Sequence, residues 1–444
     1  MRPNSHLMKA TLTGALGGLL FGFDTVVISG AIDALVKLYG LSPQGKDWTV
    51  DIALIGTVVG ALAAGMVGQK LGGRETLRIT AVLYVISAVG SALAWNWPIL
   101  MLFRFVGGLG IGASSVLGPV YIAELAPAKW RGRLVGTFQF NVVLGIVLAY
   151  VSNYGIRTLH LGAAEWRWQV GVAALPAIGF LALLFGIPRS PRWSASQNRI
   201  DEALAVLKLM GEPDPQAELA DIRAALQQEH ATAHEPVFQW KYRYPLFLAI
   251  SIGAFNQLAG INSILYYANS IFASAGFSQI SGDKQAIALG FTNLVFTLVG
   301  MSVIDKVGRK TMLLIGAAGT AICLGGVAWL FRTNTHPGAL VWVLVTYIAF
   351  FSVSQGAVIW VYIGEVFPTS VRSKGQGVGS ASHWFMNAAI QLAFPVVVHS
   401  MNTETPFVFF AAMTVAQFVV VLITYPETKG QTLEALQRKL VPTE

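Results

Sequence analysis

The chain has 444 residues, 54% of them hydrophobic and only 12% charged, about half of the roughly 25% that a water-soluble domain carries. That balance excludes an ordinary soluble protein, and the single cysteine, Cys323, excludes an internal disulfide. A net charge of +8 would suit nucleic acid if the basic residues formed a patch, but they fall at the borders of apolar stretches.

Apolar stretches long enough to cross about 30 Å of hydrocarbon at about 1.5 Å per residue recur down the chain. They predict spans near 10–33, 49–69, 77–95, 98–123, 134–154, 167–187, 244–272, 285–304, 311–331, 339–366, 376–399 and 406–425. Lipid offers backbone groups no partner, so the spans are read as helices. The first is not read as a secretory signal, because it is long, contains Asp24 and lacks a small-residue cleavage site. Many of the 46 glycines lie inside these stretches, which suits close helix packing in an all-α membrane bundle.

Of the 30 Lys and Arg, 23 lie in segments that would share one side of the membrane, six lie on the other side, and Arg104 is inside a span. The positive-inside rule then puts both termini and residues 188–243 in the cytoplasm. No Asn-x-Ser/Thr acceptor occurs and the outer loops are short, which favours a bacterial inner membrane.

Tyr121, Glu124, Pro127, Arg131 and Arg133 recur as Tyr362, Glu365, Pro368, Arg372 and Lys374, each displaced by 241. Gln69-Lys70-Leu71-Gly72 is echoed by Asp305-Lys306-Val307-Gly308. This parallel duplication predicts two six-helix bundles, 1–187 and 244–430, with a cytoplasmic helical linker at 188–243 and a tail at 431–444. In the linker, Ile200, Ala203, Leu204 and Leu207 form one apolar face and Leu219, Ile222 and Leu226 another. His230 and His234 stand four apart, but without carboxylate or cysteine around them they are not read as a metal site.

Together these segments resemble the sugar porter family of the major facilitator superfamily. The resemblance runs from Phe21-Gly22-Phe23-Asp24 to Pro426-Glu427-Thr428-Lys429-Gly430. Between them stand Arg131-Gly132-Arg133, Pro188-Arg189-Ser190-Pro191-Arg192-Trp193, Asn256 to Asn262, Asp305 to Lys310, and Glu365-Val366-Phe367-Pro368. Each motif is weak alone, and their order gives them specificity. The resemblance implies a twelve-span transporter that carries a monosaccharide, hexose or pentose, by alternating access, with no cofactor, no nucleic-acid partner and a monomeric state in the bilayer.

The residues support a physical reading beside the resemblance. Gln257, Asn262 and Tyr266 put amides and a hydroxyl into an otherwise apolar seventh span, where unsatisfied polar groups are costly. Gly260 permits local unwinding that would bring Gln257 towards Asn262. Amides both donate and accept, as sugar hydroxyls do; helix-to-helix bonding is the competing explanation. The resemblance implies further sugar contacts at Phe21, Gln139, Asn256, Asn293, Trp360, Trp384 and Asn387, with His383 replacing the family's usual amide. Indole faces pack on the C–H faces of pyranose rings.

Asp24 and Arg104 are the main ionisable pair well inside the spans, and counting about 1.5 Å per residue from the outer ends puts both at one depth. Each alone would cost about 2.5–3.5 kcal/mol or more near a helix centre, so they are expected to pair. In the family an acid at the position of Asp24 marks proton-coupled members, which favours symport over a facilitator. A transporter-like sensor is a further alternative, disfavoured by the short tail.

The family's cytoplasmic gate is carried over to Glu124, Arg131, Asp305, Arg309, Glu365 and Arg372. Three positions depart from the pattern: Ala173 stands where some proton-coupled relatives have Glu, Arg189 where an acid is usual, and Gln69 and Gly73 where Asp and Arg are usual. Weaker locking is therefore expected in the first half.

Overall fold

The computed structural model describes all residues except 1–3, 128–129, 233–235, 334–335, 369–370, 432–435, 437–439 and 441–444. His234 and most of the predicted tail lie outside the described residues. Among the described residues there are 12 helices long and apolar enough to cross a membrane, and no strand. The chain divides into two compact units, Met1–Ala231 and Thr232–Glu444.

The first unit holds spans Ser5–Tyr39, Gln44–Leu71, Gly73–Leu93, Trp97–Leu125, Arg131–Thr158 and Gly162–Leu184. The first helix is longer than its apolar core of 10–33 because polarity does not end a helix; caps do. Asn4 accepts the amide of Leu7 at its start, and Gly40 closes it in the left-handed conformation (φ 60). Two pairs of spans approach through glycine. A Cβ on Gly56 or Gly60 would collide with carbonyls of Phe105 or Leu109, and one on Gly108 or Gly112 with those of Ala53 or Thr57, locking the second span to the fourth. Gly22 and Gly145 hold the first span to the fifth in the same way.

The linker folds as Pro191–Ser196, Ile200–Met210 and Pro215–Thr232. Its two predicted faces meet in one small core of Ala195, Ala203, Leu207 and Leu219, flanked by Ile200, Leu204, Ile222 and Leu226. It is tied to the first unit: Trp193 Nε1 donates to the Gln69 carbonyl at 3.1 Å, and Asn4 Nδ2 to that of Leu209 at 2.8 Å.

The second unit holds Trp240–Tyr266, Gln279–Val307, Arg309–Thr333, Gly338–Glu365, Lys374–Val398 and Thr405–Thr424. The seventh span, predicted as one run over 244–272, is broken into Arg243–Leu258, Ile261–Tyr266 and Ala268–Ser274. Gly260 (φ 80) makes the first break, a conformation that a side chain disfavours. The tenth span contains a π turn at Ser352–Gly356, which hydropathy cannot reveal because it changes register without changing polarity.

The duplication extends beyond the motifs. Gly40 and Gly276 both have positive φ, Ser42 and Ser278 both cap the helix that follows, and Gly72 and Gly308 share one backbone conformation, each pair displaced by 236.

Candidate functional site

In the first unit, packing of the first span beside the fourth brings Asp24 to Arg104. Arg104 Nη1 lies 3.4 Å from both carboxylate oxygens and 3.5 Å from the Asp24 carbonyl. Both residues are buried, and Arg104 Nε has no acceptor. The contact is longer than the 2.7–2.9 Å of a tight charge-assisted bond, so this is a loose pair with donor capacity to spare. Phe21 is half-buried against the core of the same unit, and Gln139 is half-buried on the fifth span.

In the second unit the breaks in the seventh span gather amides. Asn262 Nδ2 donates to Gln257 Oε1 at 2.9 Å, as the predicted unwinding at Gly260 requires. Gln257 Nε2 donates to Asn256 Oδ1 at 3.1 Å and lies 3.1 and 3.3 Å from the two ring nitrogens of His383. The imidazole stands against Trp360, with ring centroids 5.1 Å apart, and edge-on to Trp384 at 5.3 Å. Trp360 is 39% exposed and Trp384 only 8%, so Trp360 has the freer face. Asn387 is fully buried with an unpartnered Nδ2, and its Oδ1 accepts from Gln391, which in turn accepts from Ser263. Tyr266 is buried on the same short helix as Asn262. Asn293 stands apart from this cluster in its bonding: its Oδ1 accepts from Ser352 at 2.8 Å and Thr297 at 3.3 Å.

Of the residues expected at the gate in the second unit, Asp305, Arg309 and Glu365 form one network. Arg309 reaches Asp305 at 2.9 Å and Glu365 at 2.9 Å, and Thr428 donates to Glu365 at 2.6 Å. Arg372 Nε donates to the Phe367 carbonyl at 3.3 Å. Glu427, whose motif was recognised without a role for its carboxylate, accepts the amides of Arg309, Lys310, Thr428 and Lys429 at 2.8–3.0 Å. It therefore caps the ninth span, where the helix dipole favours an anion. The legible signal was an acid a few residues past a helix end, and spacing alone does not say which helix it meets.

In the first unit, Arg131 pairs at 4.0 Å with Glu218 of the linker, and Glu124 is half-buried nearby in the chain. The centre of charge is Glu75, which sequence reasoning missed. It takes Arg74 at 2.6 Å, Arg78 at 2.8 Å and Arg189 at 3.6 Å. Arg189 also meets Glu202 at 3.8 Å, so the residue that departs from the family pattern has acids of its own. An acid with Arg beside it and three residues on was the available clue.

Two six-span units with matched ends, one holding a buried ion pair and the other a polar aromatic cluster at a helix break, define a secondary transporter of the major facilitator fold. Residues 10–440 match the family described as sugar (and other) transporter, and the chain belongs to that family. It is 35% identical over 432 residues to the arabinose-proton symporter of Bacillus subtilis, covering 95% of this chain and 92% of that protein. It is 34% identical over 478 residues to the D-xylose-proton symporter of Escherichia coli, covering 98% and 96%. The structure of the Escherichia coli xylose transporter in a partially occluded inward open conformation matches with a TM-score of 0.86 at 31% identity, covering 97% of this chain and 100% of that one.

Proposed function

We propose that the protein is a monosaccharide–proton symporter of the bacterial inner membrane, working as a monomer with both termini and residues 188–243 in the cytoplasm. The bundles 1–187 and 244–430 are its two moving halves. The observation that carries proton coupling is the buried, loosely held Asp24–Arg104 pair, supported by the naming of the relatives as proton symporters. With Asp24 ionised, attraction holds the first and fourth spans together. Protonation from outside cancels it and frees Arg104 for other acceptors, so the two spans can part.

Sugar recognition is assigned to Gln257, Asn262, Asn256, His383 and Asn387, with Trp360 and Trp384 as ring-stacking faces and Tyr266, Asn293, Phe21 and Gln139 completing the set. Asp305, Arg309, Glu365 and Arg372, with Glu124 and Arg131, serve as the cytoplasmic gate. Uptake of labelled xylose, arabinose and glucose into proteoliposomes tests the reading. At least one should accumulate above the outside concentration when the lumen is alkaline and equilibrate without accumulation when no gradient is applied. Accumulation of none of the three, with equilibration unchanged by the gradient, would leave an uncoupled facilitator.

A further inference from the structure

The amides of the second unit form a chain with one direction. The tenth span carries a π turn at Ser352–Gly356, closed over five residues instead of four. Asn256 Nδ2 donates to the backbone carbonyl of Gln355, within that turn, at 3.5 Å. A carbonyl can only accept, so Asn256 must present its Oδ1 to Gln257. Gln257 must then turn its Nε2 towards Asn256, and its Oε1 takes the amide of Asn262.

His383 reinforces the same orientation. The nearly equal distances from Gln257 Nε2 to both ring nitrogens, 3.1 and 3.3 Å, put the amide N–H over the imidazole ring and off the line of either lone pair, a weak donor contact. An imidazole face attracts an N–H and repels an oxygen. Both donors of Gln257 are therefore directed into the protein. What is left uncommitted on buried Gln257 is the second lone pair of its Oε1, followed at the end of the chain by Oδ1 and the second N–H of half-buried Asn262.

We propose that this relay fixes the direction of hydrogen bonding at Gln257 in the sugar site: with both of its N–H groups committed, Gln257 accepts, and the sugar hydroxyl that meets it must donate, whereas Asn262 keeps an N–H as well as its Oδ1. Asn256 is a positioning residue that acts through Gln257, and its anchor is a backbone carbonyl that no side-chain substitution removes. The inference rests on these residues being the sugar site. It narrows the substrate to a monosaccharide whose hydroxyl at this point is free and unalkylated.

Binding of xylose and glucose analogues in which single hydroxyls are replaced by hydrogen or by fluorine tests the direction, because fluorine can weakly accept but cannot donate. The hydroxyl read by Gln257 is the one whose deoxy penalty disappears in Gln257→Ala. At that position the deoxy and fluoro analogues should both bind about tenfold more weakly than the parent sugar. A fluoro analogue that binds like the parent where the deoxy analogue does not would mean that the protein donates, and would overturn the proposal. Asn256→Leu removes the anchor and should raise the fluoro-to-deoxy affinity ratio severalfold, whereas Asn256→Asp still accepts from Gln257 and should keep the wild-type ratio. An unchanged ratio in Asn256→Leu that still binds the parent sugar removes Asn256 from the relay. If the wild type binds neither parent sugar nor arabinose, the sugar reading itself fails, a result distinct from a wrong direction.

Discussion

Asp24→Asn removes the negative charge beside Arg104 while keeping shape. Breaking a buried ion pair from one side costs about 3–5 kcal/mol. Here the loss should be smaller, because Nη1 sits 3.4 Å from the carboxylate oxygens and can keep both the asparagine oxygen and the Asp24 backbone carbonyl at 3.5 Å. We expect about 2–3 kcal/mol, read as a lowered midpoint in thermal unfolding of the detergent-solubilised protein. Arg104→Gln in the Asp24→Asn background should recover part of it, since no buried charge is then left over. The transport consequence is sharper: uphill uptake driven by an alkaline lumen should vanish, while counterflow of labelled against unlabelled sugar in the same proteoliposomes persists. Asparagine cannot exchange a proton. An Asp24→Asn variant that still concentrates sugar in response to the gradient would refute the assignment of coupling to Asp24, and Ala173 offers no replacement acid.

Gln257→Ala and Trp360→Ala should each weaken sugar binding about tenfold without unfolding the protein, since a hydrogen bond of about 0.5–1.5 kcal/mol and a stacking face are lost; wild-type affinity by calorimetry in both would remove them from the site. Gly260→Ala forces a side chain into φ 80 and against the Phe410 ring, costing at least about 1–2 kcal/mol, and an unchanged unfolding midpoint would contradict that geometry. Glu427→Ala strips four backbone amides of their acceptor and should destabilise the start of the ninth span by about 1.5–3 kcal/mol, visible as faster hydrogen exchange at Arg309 and Lys310. Cysteines replacing Ser196 and Gln279 should be labelled from the cytoplasmic and outer faces respectively; labelling of position 196 from outside intact cells would invert the topology.

Hydropathy located the spans because lipid acts on long averages, and it missed what local geometry decides. The seventh span read as continuous over 244–272 since its breaks at Gly260 and Tyr267 leave the segment apolar, although Gly260 itself was a legible warning. The contact between Asn262 and Gln257 followed from that glycine, and the meeting of Asp24 with Arg104 from a count of helical rise. The tilted contact of the His383 imidazole with the Trp360 indole did not follow from sequence, because it depends on the rotation of the eleventh helix against the tenth. Glu427 escaped because its partners lie at the start of a helix far away in the chain, and Glu75, although Arg74 and Arg78 stand on its own helix, because Arg189 reaches it from beyond the sixth span.

The matched turns at Gly72 and Gly308 lead to one further consequence. Each is followed by a helix, and each unit ties its repeated tyrosine to a proline carbonyl after its last span, Tyr121 to Pro188 at 2.7 Å and Tyr362 to Pro426 at 3.2 Å. The covers over the two glycines differ: the Trp193 indole lies over Gly72, and the Glu427 carboxylate over Gly308. The same backbone turn is thus covered by an indole in one unit and by a carboxylate in the other. Salt should therefore weaken the cover over Gly308 directly, while at Gly72 it acts on the neighbouring Glu75–arginine cluster and leaves the indole in place, so that a salt titration followed by hydrogen exchange separates the twins that the backbone makes look alike.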